Sequence, residues 1–123
     1  MSVKSVILYV DDEHINLLLF GRLMSKHFEV LTAASAMEGL QMLDENPEVK
    51  VVITDLRMPK MDGLEFIKEA KKKFDDRPYI ILSGFEKSDA VKDAIRQGLV
   101  EEYIQKPYSS EVVADRIKET IST

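Results

Sequence analysis

Five side chains able to do polar chemistry stand at the ends of short apolar runs. Asp11 and Asp12 follow Ser5–Val10, Asp55 follows Val49–Thr54, Ser83 closes Tyr79–Ser83, and Lys106 follows Tyr103–Gln105. Each has an ordinary explanation when taken singly. Paired aspartates before a helix often serve as N-terminal caps, Asp55 could begin a turn, Ser83 could cap a loop, and a lysine before proline fits an extended surface dipeptide. If the runs are strands of one sheet, however, three carboxylates, a hydroxyl and an ammonium converge on one edge. Carboxylates packed together without counter-charge raise at least one pKa and cost stability, so a cation is required there. Lys106 supplies one charge, and a hard metal would supply more. Oxygen ligands favour Mg²⁺, with Mn²⁺ able to substitute. Zinc and copper fit poorly, because the chain has no cysteine and His14 and His27 do not make a ligand pair by spacing.

The elements that must position these groups can be read from hydrophobic periodicity. Runs rich in Val and Ile at Ser5–Val10, Glu29–Ala33, Val49–Thr54, Tyr79–Ser83 and Tyr103–Gln105 are too short for typical helices and read as strands. Three are apolar almost throughout, as expected of strands covered on both faces of a parallel sheet. Segments with a 3.6-residue period at Glu13–Lys26, Ala36–Glu45, Leu64–Phe74, Asp89–Gln97 and Glu111–Ile121 read as helices. Ser35 with Glu38 forms a capping box, Ser88 precedes a helix start, and Ser109 or Ser110 caps the last helix. Pro47, Pro59, Gly63, Pro78, Gly98 and Pro107 fall between helix interiors, in turns. Strict alternation implies right-handed crossovers and a doubly wound α/β sandwich of five parallel strands and five helices. Ligands in such folds sit beyond the carboxyl ends of the strands, where the five polar residues fall.

The totals narrow the remaining possibilities. A chain of 123 residues with 45 % hydrophobic content suits one domain, residues 1–123, with a core that needs no disulfide. Without cysteine, thiol catalysis is excluded. No run approaches the roughly 20 apolar residues of a membrane helix, and Met1 to Val10 lacks the features of a signal peptide, so a soluble cytoplasmic protein is expected. A net charge of −5 disfavours a broad grip on nucleic acid. The one dense basic cluster, Lys68 to Lys73, is interrupted by Glu69 and reads as a solvated helix face.

The chain resembles the receiver domains of two-component response regulators, over essentially its whole length. The motifs that carry the resemblance are Val10-Asp11-Asp12-Glu13, Thr54-Asp55-Leu56-Arg57-Met58-Pro59-Lys60-Met61-Asp62-Gly63, Leu82-Ser83-Gly84 and Tyr103-Ile104-Gln105-Lys106-Pro107. The resemblance implies a single-domain, flavodoxin-like fold with strand order 2-1-3-4-5. It implies that Asp55 is phosphorylated, and that Asp12, Asp55 and the backbone carbonyl of Arg57 bind Mg²⁺ directly, with Asp11 acting through a metal-bound water. Ser83 and Lys106 would then contact phosphoryl oxygens, and Pro107 would follow a cis bond. Tyr103 matches the family's switching aromatic, paired with Ser83. Expected partners are a sensor histidine kinase or histidine phosphotransfer protein, a downstream protein target, and a second copy of the phosphorylated chain. Direct nucleic-acid binding is not expected.

Two other functions fit the motifs less well. A haloacid-dehalogenase-type phosphatase also uses an aspartyl nucleophile and Mg²⁺, but that signature places a second Asp where Arg57 stands. A phosphate-independent binding module would have no use for Asp11, Asp12, Asp55, Ser83 and Lys106 together. The first predicted helix carries more apolar residues than one buried stripe holds, and Leu17 or Leu18 is expected to form a docking patch for the phosphodonor.

Overall fold

The structure is a computed structural model that describes residues 3–122. Five strands alternate with five helices: β1 (Val6–Val10), α1 (His14–Met24), β2 (Glu29–Ala33), α2 (Ala36–Glu45), β3 (Val49–Thr54), α3 (Gly63–Lys73), β4 (Tyr79–Ser83), α4 (Asp89–Arg96), β5 (Glu102–Gln105) and α5 (Ser110–Ser122). All strands are parallel, in the order β2-β1-β3-β4-β5. This is the doubly wound, flavodoxin-like arrangement expected from the sequence. The three runs that read as nearly all apolar, β1, β3 and β4, are the three inner strands. Because β1 pairs with both β2 and β3, the strand order switches sides between β1 and β3, and a crevice opens there at the carboxyl ends.

Alternate residues of each strand feed two cores. On one face Ile7, Tyr9, Val51, Ile53, Ile80 and Leu82 pack with Leu17, Phe20 and Met24 of α1 and Val113, Ala114 and Ile117 of α5. On the other face Leu8, Val10, Val52 and Ile81 meet α2, α3 and α4 through Leu43, Phe66, Ile67, Val91 and Ala94. The pairing of β1 with β3 steps from Val6↔Val49 to Ile7↔Val51. Lys50 is thereby passed over and left in solvent, so Val49 and Val51 each bury their side chains on a different face.

Helix starts follow local side-chain chemistry. The Ser35 hydroxyl accepts from Glu38 N at 3.1 Å, but the returning Glu38 carboxylate takes its bond from Ala34 N, one residue before the cap. The complete reciprocal box belongs to α3, where Asp62 accepts from Glu65 N at 2.8 Å and Glu65 accepts from Asp62 N at 3.0 Å. Ser88 accepts from Val91 N, and Ser109 receives a long 3.5 Å contact from Val112 N. No helix among the described residues is long and apolar enough to cross a membrane.

Candidate functional site

Backbone hydrogen bonds join the strand ends that carry these residues to their neighbours. Asp11 N donates to Ala33 O, Asp55 N to Val10 O, and Lys106 N to Ser83 O at 2.7 Å. Asp11, Asp12 and Asp55 therefore place one carboxylate oxygen each within 4.8 Å of one another. Lys106 Nζ stands 3.8 Å from Asp11 Oδ2 and 3.8 Å from Asp55 Oδ1. The sequence expectation of a carboxylate cluster balanced by one lysine is what the chain builds.

The three acids differ in environment. Asp11 is fully buried, and both of its oxygens are engaged: Oδ2 accepts from the Tyr9 hydroxyl at 2.6 Å and Oδ1 from Glu13 N at 2.9 Å. Asp12 is exposed. The Asp55 side chain is 13 % exposed, open enough for reaction and dry enough to perturb. Burial, then the nearby Asp11, push its carboxyl up to about 6, while Lys106 and the Leu56 backbone N–H pull the other way. One ammonium does not neutralise three carboxylates. The all-oxygen donor set and its residual negative charge fit a hard divalent cation, with Asp12 and Asp55 the accessible donors.

Ser83 is buried at the end of β4, and its hydroxyl oxygen accepts from Phe85 N at 3.2 Å. A methyl group at Gly84 would meet nothing within 4 Å, so the approach beside Ser83 is open. Tyr103 is half-buried and its hydroxyl donates to the Phe85 carbonyl. The Arg57 guanidinium lies 4.1 Å from the centre of the Phe85 ring. Phe85 thus joins Arg57, Ser83 and Tyr103, a role that no local pattern around it announces. The Lys106–Pro107 peptide bond is cis. Lys106, Pro107, Tyr9 and Tyr108 also line a groove of about 260 Å³ with Asn16, Leu19 and Leu23 of α1.

Two site residues escaped the sequence reading. Tyr9 looked like one more apolar strand residue, yet it orients the buried carboxylate, and the same burial with the Asp11 contact raises its phenol pKa. Gly63, read as a turn residue and as the end of the Thr54–Gly63 motif, begins α3 against the backbone of Asp55. A Cβ there would lie 2.2 Å from the Asp55 carbonyl oxygen, and Gly63 N donates to Leu56 O at 2.8 Å. The expected α1 patch narrows to one of its two candidates, Leu18, which is exposed. Leu17 points into the core with Phe20 and Met24, because i, i+3 and i+7 spacing sets the buried stripe. Ile15, Leu18 and Leu19 are the exposed apolar residues of that helix.

Comparison with known proteins agrees with this geometry. The response regulator receiver domain profile matches residues 7–118. A chemotaxis protein CheY homolog of Campylobacter jejuni is 36 % identical over 99 residues, covering 79 % of this chain and 75 % of that protein. Chemotaxis protein CheY1 of Helicobacter pylori J99 is 31 % identical over 121 residues, covering 95 % and 97 %. The hydrogenase transcriptional regulatory protein HoxA of Cupriavidus necator is 30 % identical over 96 % of this chain but only 24 % of its own length. Among solved structures, a response regulator receiver domain protein from Clostridium thermocellum superimposes with a TM-score of 0.89 at 36 % identity, covering 96 % of this chain and 94 % of that one. The chain belongs to the response regulator receiver domain family.

Proposed function

We propose that Asp55 is the phosphoacceptor through which this receiver domain relays a signal from a histidine kinase or histidine phosphotransfer protein to a protein target. The observation that carries this reading is the position of Asp55: partly accessible, within 4.8 Å of two further carboxylates and 3.8 Å from Lys106. An Asp55 carboxylate oxygen attacks phosphorus while the P–N bond of the donor phosphohistidine breaks, its electron pair leaving with the imidazole. Lys106 offsets charge on the transferring oxygens, and the Ser83 hydroxyl is the neighbouring donor for another. Asp12, Asp55 and the Arg57 carbonyl would hold Mg²⁺, with Asp11, already doubly bonded, acting through water. When bound, the ion supplies positive charge to the phosphoryl oxygens. Hydrolysis returns Asp55 by attack of water on phosphorus, so the domain catalyses only its own labelling and release.

The donor is expected to dock over Ile15, Leu18 and Leu19, which lie on the helix that lines the groove beside Lys106. The relay operates in the cytoplasm, and phosphorylation-dependent pairing of two copies is a further expected output. Incubation with Mg²⁺ and acetyl phosphate, followed by intact mass measurement, tests the reading. One phosphoryl group is expected on the wild type and none on Asp55→Asn. Equal labelling of both proteins would remove Asp55 from the role.

A further inference from the structure

A second charged feature lies at the opposite end of the sheet from the acidic site. Lys4 precedes β1, Lys26 and His27 join α1 to β2, and Lys118 stands in the last turns of α5. Together with the apolar walls Val3 and Ile121 they line an open cleft of about 380 Å³. No carboxylate lines it among the described residues, in a chain whose net charge is −5. The ammonium groups have settled for neutral partners. Lys118 Nζ donates to His27 Nδ1 at 3.1 Å, and Lys4 Nζ donates to the Ser25 carbonyl at 2.6 Å. An ammonium has donors only, so His27 Nδ1 must be the acceptor, and the ring is neutral in this arrangement.

Helix dipoles account for part of this gathering. The carboxyl ends of α1 and α5 both reach the cleft, and each carries about half a negative charge. Three lysines against those two ends leave about two positive charges before the neighbouring carboxylates are counted. In the adjoining groove Glu111 and Asp115 stand with Arg22 and Lys26, so Lys26 is offset and a surplus of about one positive charge remains on Lys4 and Lys118. A phosphate group carries negative charge and three strong acceptor oxygens, enough to accept from the Lys4 and Lys118 ammonium groups together. It would replace the two neutral partners with charge-assisted bonds.

We infer that this cleft is a binding site for a small soluble phosphate-bearing anion, held by Lys4 and Lys118. It is separate from the phosphoacceptor and does not depend on Asp55. The probe is pyrophosphate, titrated into ¹⁵N-labelled full chain at constant ionic strength without divalent metal. Saturable amide shifts are expected at residues 4, 26–28 and 118–121, unchanged in Asp55→Asn. The double variant Lys4→Gln/Lys118→Gln should bind at least about tenfold more weakly, whereas Lys87→Gln/Lys92→Gln, with the same loss of charge on another face, should bind as the wild type does. A non-saturating response, or equal weakening in both double variants, would overturn the site. Sedimentation with phosphatidylglycerol vesicles, in a protein that pyrophosphate fails to saturate, would overturn it in favour of a lipid surface.

Discussion

The Tyr9 hydroxyl donates to Asp11 Oδ2 at 2.6 Å, inside a shell that leaves Asp11 no exposure at all. Tyr9 is itself clamped by stacking on Phe20, with ring centres 4.1 Å apart. A strand residue from the core on the α1 side therefore fixes a carboxylate of the acidic site. Tyr9→Phe keeps the ring and its packing but leaves that oxygen with only the Lys106 ammonium at 3.8 Å. An under-satisfied buried acceptor costs roughly 1–3 kcal/mol. The expected result is a urea midpoint lowered accordingly, with Mg²⁺ affinity also reduced because Asp11 is free to turn. Unchanged stability would show that the hydrogen bond adds nothing beyond the ring.

Asp55 gives the metal-free fold a distinctive pH dependence. Its carboxyl is raised from an ordinary 3.8 to about 6, so between those values the folded chain holds a proton that the unfolded chain has released. Stability then rises as pH falls through 6 towards 4, and the charged carboxylate penalises the fold above 6. The penalty at neutral pH is up to roughly 3 kcal/mol. Asp55→Asn removes the charge, so at pH 7 without metal its Tm should exceed that of the wild type by several degrees. The two should converge near pH 4, and saturating Mg²⁺ should erase most of the difference at pH 7. Parallel Tm curves across pH would contradict the assigned environment.

Gly63 leaves room for the Asp55 backbone by lacking a side chain. In Gly63→Ala the new methyl cannot coexist with the Asp55 carbonyl at 2.2 Å, so the Asp55–Leu56 backbone or the start of α3 must shift. Overpacking of this kind costs about 1–3 kcal/mol. Acetyl phosphate labelling should slow more than this loss of stability alone explains, because the displaced atoms carry the reacting carboxylate. Labelling at the wild-type rate in a destabilised variant would confine Gly63 to packing.

Much of this was legible in the chain. Periodicity located all ten elements, since β1, β3 and β4 are covered on both faces and the helices present regular stripes. The strand-end positions of Asp11, Asp12, Asp55, Ser83 and Lys106 followed from that alternation. Less legible was whatever depends on distance between backbones. Nothing in the residue type of Gly63 says that the Asp55 carbonyl lies against it, and Tyr9 in an apolar run does not disclose which way its hydroxyl points. The surplus of apolar residues in α1 was visible, but its phase was not: Leu17 and Leu18 differ by 100° around the helix, and only packing against β1 and α5 decides which is buried.

That phase sets the docking prediction. Leu18→Ser with Leu19→Ser changes two residues that are about half exposed, so the fold should keep its stability within about 0.5 kcal/mol. Transfer from a phosphorylated histidine phosphotransfer domain should slow at least about tenfold, the equivalent of losing a modest apolar contact, while acetyl phosphate labels both proteins at the same rate. Equal slowing with both donors would place the fault in the reaction centre instead of the contact surface.

The final prediction concerns how phosphorylation is read. Ser83 and Tyr103 both bond to Phe85, the first accepting from its N–H and the second donating to its carbonyl. A phosphoryl group on Asp55 offers the Ser83 hydroxyl a charged acceptor, and drawing Ser83 inward pulls on the Phe85 backbone that Tyr103 holds. Arg57, stacked on the Phe85 ring, resists that movement from the other side. The Tyr103 ring is therefore expected to leave the Phe85 carbonyl and turn into space vacated beside Ser83, changing the face formed by α4, β5 and α5. A population moved from mostly inactive to mostly active needs about 5 kcal/mol of differential stabilisation, and two new charge-assisted bonds, from Ser83 and Lys106, supply roughly that amount. NMR with and without beryllofluoride in the presence of Mg²⁺ tests the coupling. Shifts should appear at Phe85, Tyr103 and the α4 and α5 amides, and Ser83→Ala should abolish those at Tyr103 while keeping those at Asp12 and Asp55. Tyr103 signals that move equally in wild type and Ser83→Ala would show that Ser83 does not transmit the change.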